Sequence, residues 1–170
     1  MLWSKAIGAG GAGGLVEGWN VSTADFVQSF PVAAQGTDPA GVFFKPDGLK
    51  MYIVEYSQDY VNEYDLSIAW DVSTAVFFQR FFVGARESTP TGIFFKPDGL
   101  KMYVENFSLA QVNEYDLNTA WDISTSVSIR SKAVGAQETQ PLGLFFKPDG
   151  TKMYVVGVSG DDVNEYDLTA

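Results

Sequence analysis

The side chains whose spacing could support chemistry occur in threes. Lys45/Asp47, Lys96/Asp98 and Lys147/Asp149 set an amine two residues from a carboxylate, the makings of an acid–base pair. Glu63/Asp65, Glu114/Asp116 and Glu165/Asp167 put two carboxylates on one face of a strand, where they could hold calcium or flank a glycosidic bond. Trp19, Trp70 and Trp121, each followed by Asn or Asp, could stack a sugar. A reaction centre is needed once, whereas each of these groups recurs in every copy. Recurrence favours turn chemistry for the Lys/Asp pairs and packing or hydrogen bonding for the paired carboxylates. For the tryptophans it favours a wedge between layers.

What is missing narrows the chemistry further. The 170 residues include no histidine and no cysteine. The commonest general base, the commonest transition-metal ligand and the thiol nucleophile are therefore absent, and no cofactor is expected. The formal charge is -10, and the eleven Lys and Arg are scattered, so the sequence offers no footprint for nucleic acid. The run from Ala6 to Val16 is too short and glycine-rich to span a bilayer, and no membrane partner is expected.

The elements that must position these residues are written as a repeat. Gly41, Gly92 and Gly143 are 51 residues apart, as are Met51, Met102 and Met153 and the three "VNEYDL" segments. The units run 19–69, 70–120 and 121–170, preceded by a Gly-rich leader over 1–18. Within a unit, "GVFFK" (strand A, 41–45) is followed by Pro-Asp-Gly, a turn whose Gly takes φ > 0. "LKMYIVEY" (B, 49–56), "YVNEYDL" (C, 60–66) and a fourth run (D, 73–83) follow. Four short strands every 51 residues predict an all-β fold, a β-propeller of three four-stranded blades.

The segments "FFKPDGTKMYVV" and "VNEYDL" resemble the Pro-Asp-Gly-x-Lys-x-Tyr-Val blades of the YVTN, NHL and WD40-like propeller repeats. With "AWDVST" they also resemble repeats in tailed-phage structural proteins. Related propeller lactonases, by the same resemblance, gather Glu, Asp and Asn around a metal at the central channel. Strand A here carries no carboxylate in any copy, which departs from that pattern and argues against a metal.

Three blades are too few for a ring, since closed propellers have about four to eight. The sequence opens with an orphan D run, "VSTADFVQSFPV", and its last unit stops after strand C. The expectation is a head-to-tail homodimer with strand exchange, closed into six blades, or alternatively a nine-bladed trimer. The copies diverge most in the B–C and D–A loops, which share one propeller face. Candidate binding residues there are Gln58, Asp59, Tyr60, Arg86, Glu87, Phe107, Leu109, Gln137, Glu138, Asp161 and Asp162, with Trp3 and Lys5 as a tether. The function expected from this pattern is not enzymatic. It is a phage virion or tail-associated component whose loop face contacts other virion proteins or a surface glycan, located in the virion or else extracellular. The rivals are a lactonase-like hydrolase with a carboxylate or calcium site, and a secreted lectin.

Overall fold

The computed structural model describes residues 20–85 and 88–168. Blade 1 is the sheet β1 (Pro39–Phe44), β2 (Lys50–Glu55), β3 (Tyr60–Leu66) and β4 (Ala75–Phe82). Blade 2 is β5 (Pro90–Phe95), β6 (Lys101–Asn106), β7 (Gln111–Leu117) and β8 (Ser126–Ala133). Blade 3 has three strands, β9 (Pro141–Phe146), β10 (Lys152–Gly157) and β11 (Val163–Asp167). Strands pair antiparallel in chain order within each sheet.

The Pro-Asp-Gly turns behave as their chemistry requires. Gly48, Gly99 and Gly150 have φ of 74°, 74° and 75°. Asp47 Oδ1 accepts from Leu49 N at 3.0 Å, and Asp98 and Asp149 repeat the bond. The D strands begin later than the expected residue 73. Val72–Thr74 is a 3-10 turn, capped by Asp71, whose Oδ1 accepts from Ser73 N and Oγ.

Burial alternates along each strand and so assigns faces. Tyr52 and Val54 join Phe95, Met102, Val104 and Tyr115 in a core between blades 1 and 2. Met51 and Ile53 face the other way, towards Phe30 and Val32. A third cluster around Val112, Phe146, Met153 and Val155 joins blades 2 and 3. The innermost strands lie side by side, β1 against β5 and β5 against β9. Phe43, Phe94 and Phe145 cross-link them, with edge-on ring contacts at 5.8 and 5.9 Å.

The expected orphan D strand is corrected in form. Val21–Thr23 makes the same capped turn as Val72–Thr74, but Ala24–Pro31 carries no ladder. A strand exists only with a partner, and among the described residues no strand C lies beside it. The segment nonetheless docks as a D strand does. Gln28 Nε2 donates to Asp71 Oδ1 at 2.6 Å, as Gln79 does to Asp122 at 2.8 Å. Phe30 meets Tyr64 edge-on as Phe81 meets Tyr115.

Candidate functional site

The repeated charges resolve into scaffold. Lys50 Nζ contacts Glu63 at 2.5 Å and Asp65 at 2.6 Å, and Lys101 and Lys152 hold Glu114/Asp116 and Glu165/Asp167 in the same way. Burial disfavours the Lys50 ammonium, but hydrogen bonds to Asp65 and Glu63 outweigh it and hold its pKa above the usual lysine value. Glu63 is fully buried and also accepts from Gln79 Nε2 (2.8 Å) and from Ile123 N of blade 2 (3.3 Å). It is a tie between blades. The Lys45–Asp47 pair lies 2.7 Å apart at an exposed turn, and the Lys45 bond lowers the pKa of Asp47.

The face that carries the B–C and D–A loops holds a second set of carboxylates. Glu55, at the end of β2, accepts from Asp38 N at 2.8 Å and from Ser57 Oγ, and Gly36 leaves it room. In blade 3 the same place is filled from the opposite side. Glu138, on the D–A loop, accepts from Gln140 N at 2.7 Å and from Ser159 Oγ, and Gly157 leaves it room. The Ser159 bond, with backbone N–H groups, holds the Glu138 carboxyl below the usual range. In blade 2, Thr89 N instead donates to Asp59 Oδ1 at 2.9 Å.

Glu105 stands apart from these. It sits next to the end of β6, fully buried, where the other copies have Val54 and Val156. Strand alternation turns it away from Val104, towards blade 3. Its Oε2 is 3.5 Å from Thr91 Oγ1, which donates to Pro141 O across the β5–β9 seam. A Cβ at position 92 would lie 2.8 Å from that oxygen, so Gly92 makes the space. Its Oε1 is buried without a hydrogen-bond partner. Burial pushes its pKa up to about 8, the Thr91 bond opposes this, and the charge of Glu138 adds to it. The sequence carried one signal of this site, a carboxylate in a position apolar in the other two copies.

Of the candidate loop residues, Glu138 is buried and Asp59 half-buried, and each accepts a backbone N–H of a loop. Tyr60 is half-buried between Phe82 and the Arg80 guanidinium, 4.2 Å over its ring. Phe107 packs on Tyr56. Gln58, Leu109, Gln137, Asp161 and Asp162 are exposed and spread over three blades. Arg86, Glu87, Trp3 and Lys5 lie outside the described residues. Among the described residues no group of three or more carboxylates converges on a point that could hold a metal ion. The channel metal implied by resemblance to lactonases does not fit the residues present. No helix among them is long and apolar enough to cross a membrane.

A concavity of about 780 Å³ opens between blades 2 and 3, and Tyr103, Glu114, Arg130, Phe146 and Tyr166 line part of it.

No protein-family model matches the sequence, and no curated protein sequence is significantly similar to it. Solved structures do match. A candidate 6-phosphogluconolactonase of Bacteroides uniformis superposes with a TM-score of 0.60 at 16% identity, over 77% of this chain and 37% of its own. The periplasmic gluconolactonase of Pseudomonas aeruginosa gives 0.58 at 16%, over 77% and 36%. Hydrazine synthase of Kuenenia stuttgartiensis gives 0.57 at 23%, over 85% and 36%. The fold is a partial β-propeller. The chain spans a little over a third of the length of these neighbours. They overturn the expectation of a non-enzymatic phage virion component: the propellers that this arc matches include proteins described as lactonases, and nothing in the comparison points to a virion.

Proposed function

We propose that this chain forms part of a propeller hydrolase of cyclic sugar-acid esters, with Glu105 as its acid–base group. The observation that carries the reading is a fully buried carboxyl group at the loop face, one oxygen unpartnered, on the β5–β9 seam. Paired structural carboxylates elsewhere in the chain are all engaged by lysines or backbone, and this one is not. The gluconolactonase and 6-phosphogluconolactonase neighbours support the substrate class through the fold they share with the chain.

The chemistry asks little beyond one such group. Water adds to the lactone carbonyl, the ring C–O bond breaks, and the departing alkoxide needs a proton. A carboxyl group titrating near 8 keeps its proton at neutral pH, donates it to the ring oxygen, and recovers one from the added water. Thr91 Oγ1, held against Pro141 O, fixes the side chain's orientation. The test is a pH-stat assay of glucono-δ-lactone opening against its spontaneous rate. Acceleration is expected to fall by about 10²-fold or more in Glu105→Gln. A wild-type rate equal to that of buffer alone overturns the reading.

A further inference from the structure

Thr91 Oγ1 stands between two oxygens of different blades. Glu105 Oε2, in its own blade, is 3.5 Å away, and Pro141 O, on β9 of blade 3, is 3.3 Å away. Thr91 is 5% exposed and Glu105 wholly buried, so no solvent competes for these bonds. A hydroxyl has one proton to donate and serves one acceptor at a time. While Glu105 is neutral, every bond can be made. Its O–H donates to Thr91 Oγ1, and Thr91 donates to Pro141 O, so two hydrogen bonds run in line across the β5–β9 seam. Once Glu105 is ionised, both neighbours of Thr91 are acceptors. A charge-assisted bond is roughly twice as strong as a neutral one, so the carboxylate draws the Thr91 proton away from Pro141 O. The bond across the seam is lost.

Among the described residues, the groups packed around Glu105 do not offset its charge. β5 presents Thr91 and Gly92, the register partner on β7 is Val112, and β9 brings Leu144 beside Gly92, none of them charged. The loop before β9 presents Glu138, a carboxylate held by Gln140 N, Ser159 and Gly160 N, whose charge opposes a second one at Glu105. Glu105 Oε1 meets no donor at all. The seam between blades 1 and 2 lacks these parts, since Ala40 and Val54 stand 51 residues before Thr91 and Glu105. One chain thus holds two like seams, and only one of them carries the buried carboxyl.

We propose that Glu105 and Thr91 form a proton-linked latch on the seam between blades 2 and 3, shut while Glu105 keeps its proton and slackened when alkaline solvent removes it. What slackens is the packing of β9 on β5, together with the 137–140 loop that leads into β9. The latch goes beyond the hydrolase reading and does not depend on it. It needs the buried carboxyl and the shared hydroxyl, and it works whether or not a lactone is turned over.

Hydrogen exchange followed by mass spectrometry reads the seam. Peptides covering 141–157 report on blade 3, and peptides covering 39–55 in the same sample supply the reference. After correction for intrinsic rates, exchange of 141–157 relative to 39–55 is expected to rise about fivefold or more between about pH 6.5 and about pH 9.5. Glu105→Gln keeps a donor towards Thr91 and never ionises, so its ratio is expected to stay at the wild-type low-pH value throughout. Thr91→Val keeps the shape and removes the hydroxyl, so its ratio is expected to be raised already at the lower pH. Thr91→Ser restores a hydroxyl and is expected to follow wild type. A wild-type ratio that does not change with pH, a rise that persists in Glu105→Gln, or a Thr91→Val ratio equal to wild type at the lower pH each overturns the proposal. Lactone opening is not read in this experiment, so its outcome is separate from that of the hydrolase assay.

Discussion

Glu105 and Glu138 titrate in opposite senses, although both are fully buried. Glu105 has a folded pKa raised to about 8, so its contribution to stability falls as pH rises from 4.5 to about 8. The slope approaches roughly 1.4 kcal/mol per pH unit in that window. Glu138 has a folded pKa below 4.5, so its contribution is full above that value and is lost as pH falls. Glu105→Gln is therefore expected to be more stable than wild type at pH 8 and to flatten the profile between pH 5 and 8. Urea titrations at several pH values measure this, and an unchanged slope would show that the carboxyl is not held neutral. Glu63→Ala is expected to cost about 3 kcal/mol, because it leaves Lys50 with Asp65 alone and removes the acceptor of Gln79 Nε2 and of the Ile123 N–H of the next blade. Asp98→Asn, at an exposed turn, is expected to cost under about 1 kcal/mol. At this scale the sequence was informative where residues repeat. The Lys/Asp pairs and paired carboxylates were legible as scaffold because three copies of one arrangement cannot each be an active centre. Glu105 was not, since its pKa comes from burial and an unpartnered oxygen, which no spacing reveals.

The four-strand unit was legible almost to its ends, because Pro-Asp-Gly turns and period-2 apolar residues act locally. The misses lie where local preference yields to pairing. Val72–Thr74 forms a capped turn rather than strand, and Ala24–Pro31 has strand composition but no ladder. The tryptophans show how neighbours, not sequence, set a residue's role. Trp121 is 8% exposed and Trp70 59%, in nearly identical local sequence, because among the described residues Trp121 has a blade on both sides and Trp70 does not. Trp121→Ala is expected to cost about 3–5 kcal/mol of unfolding free energy. Trp70→Ala is expected to cost less, because the ring packs on Phe44 alone and is largely exposed. Equal loss of unfolding free energy in urea titrations of the two variants would contradict this.

The arc as a whole explains why sequence reasoning reached the architecture but not the activity. Fold follows from a repeat that can be counted, whereas the proposed function rests on one departure from that repeat, at position 105. The expectation of a virion component came from resemblance in blade motifs, and those motifs build a frame that lactonases and other propellers share. Closure is a property of no single residue, and it decides whether the Phe-lined inner strands bound a channel. The uncovered Gly150, the edge of β11 and the exposed Val21, Phe26 and Val27 lie at the two flanks of the described arc. A pH-stat assay of glucono-δ-lactone opening tests the account most directly. A wild-type rate well above the spontaneous one, falling by about 10²-fold in Glu105→Gln, is the expected result. A wild-type rate equal to that of buffer alone would contradict it.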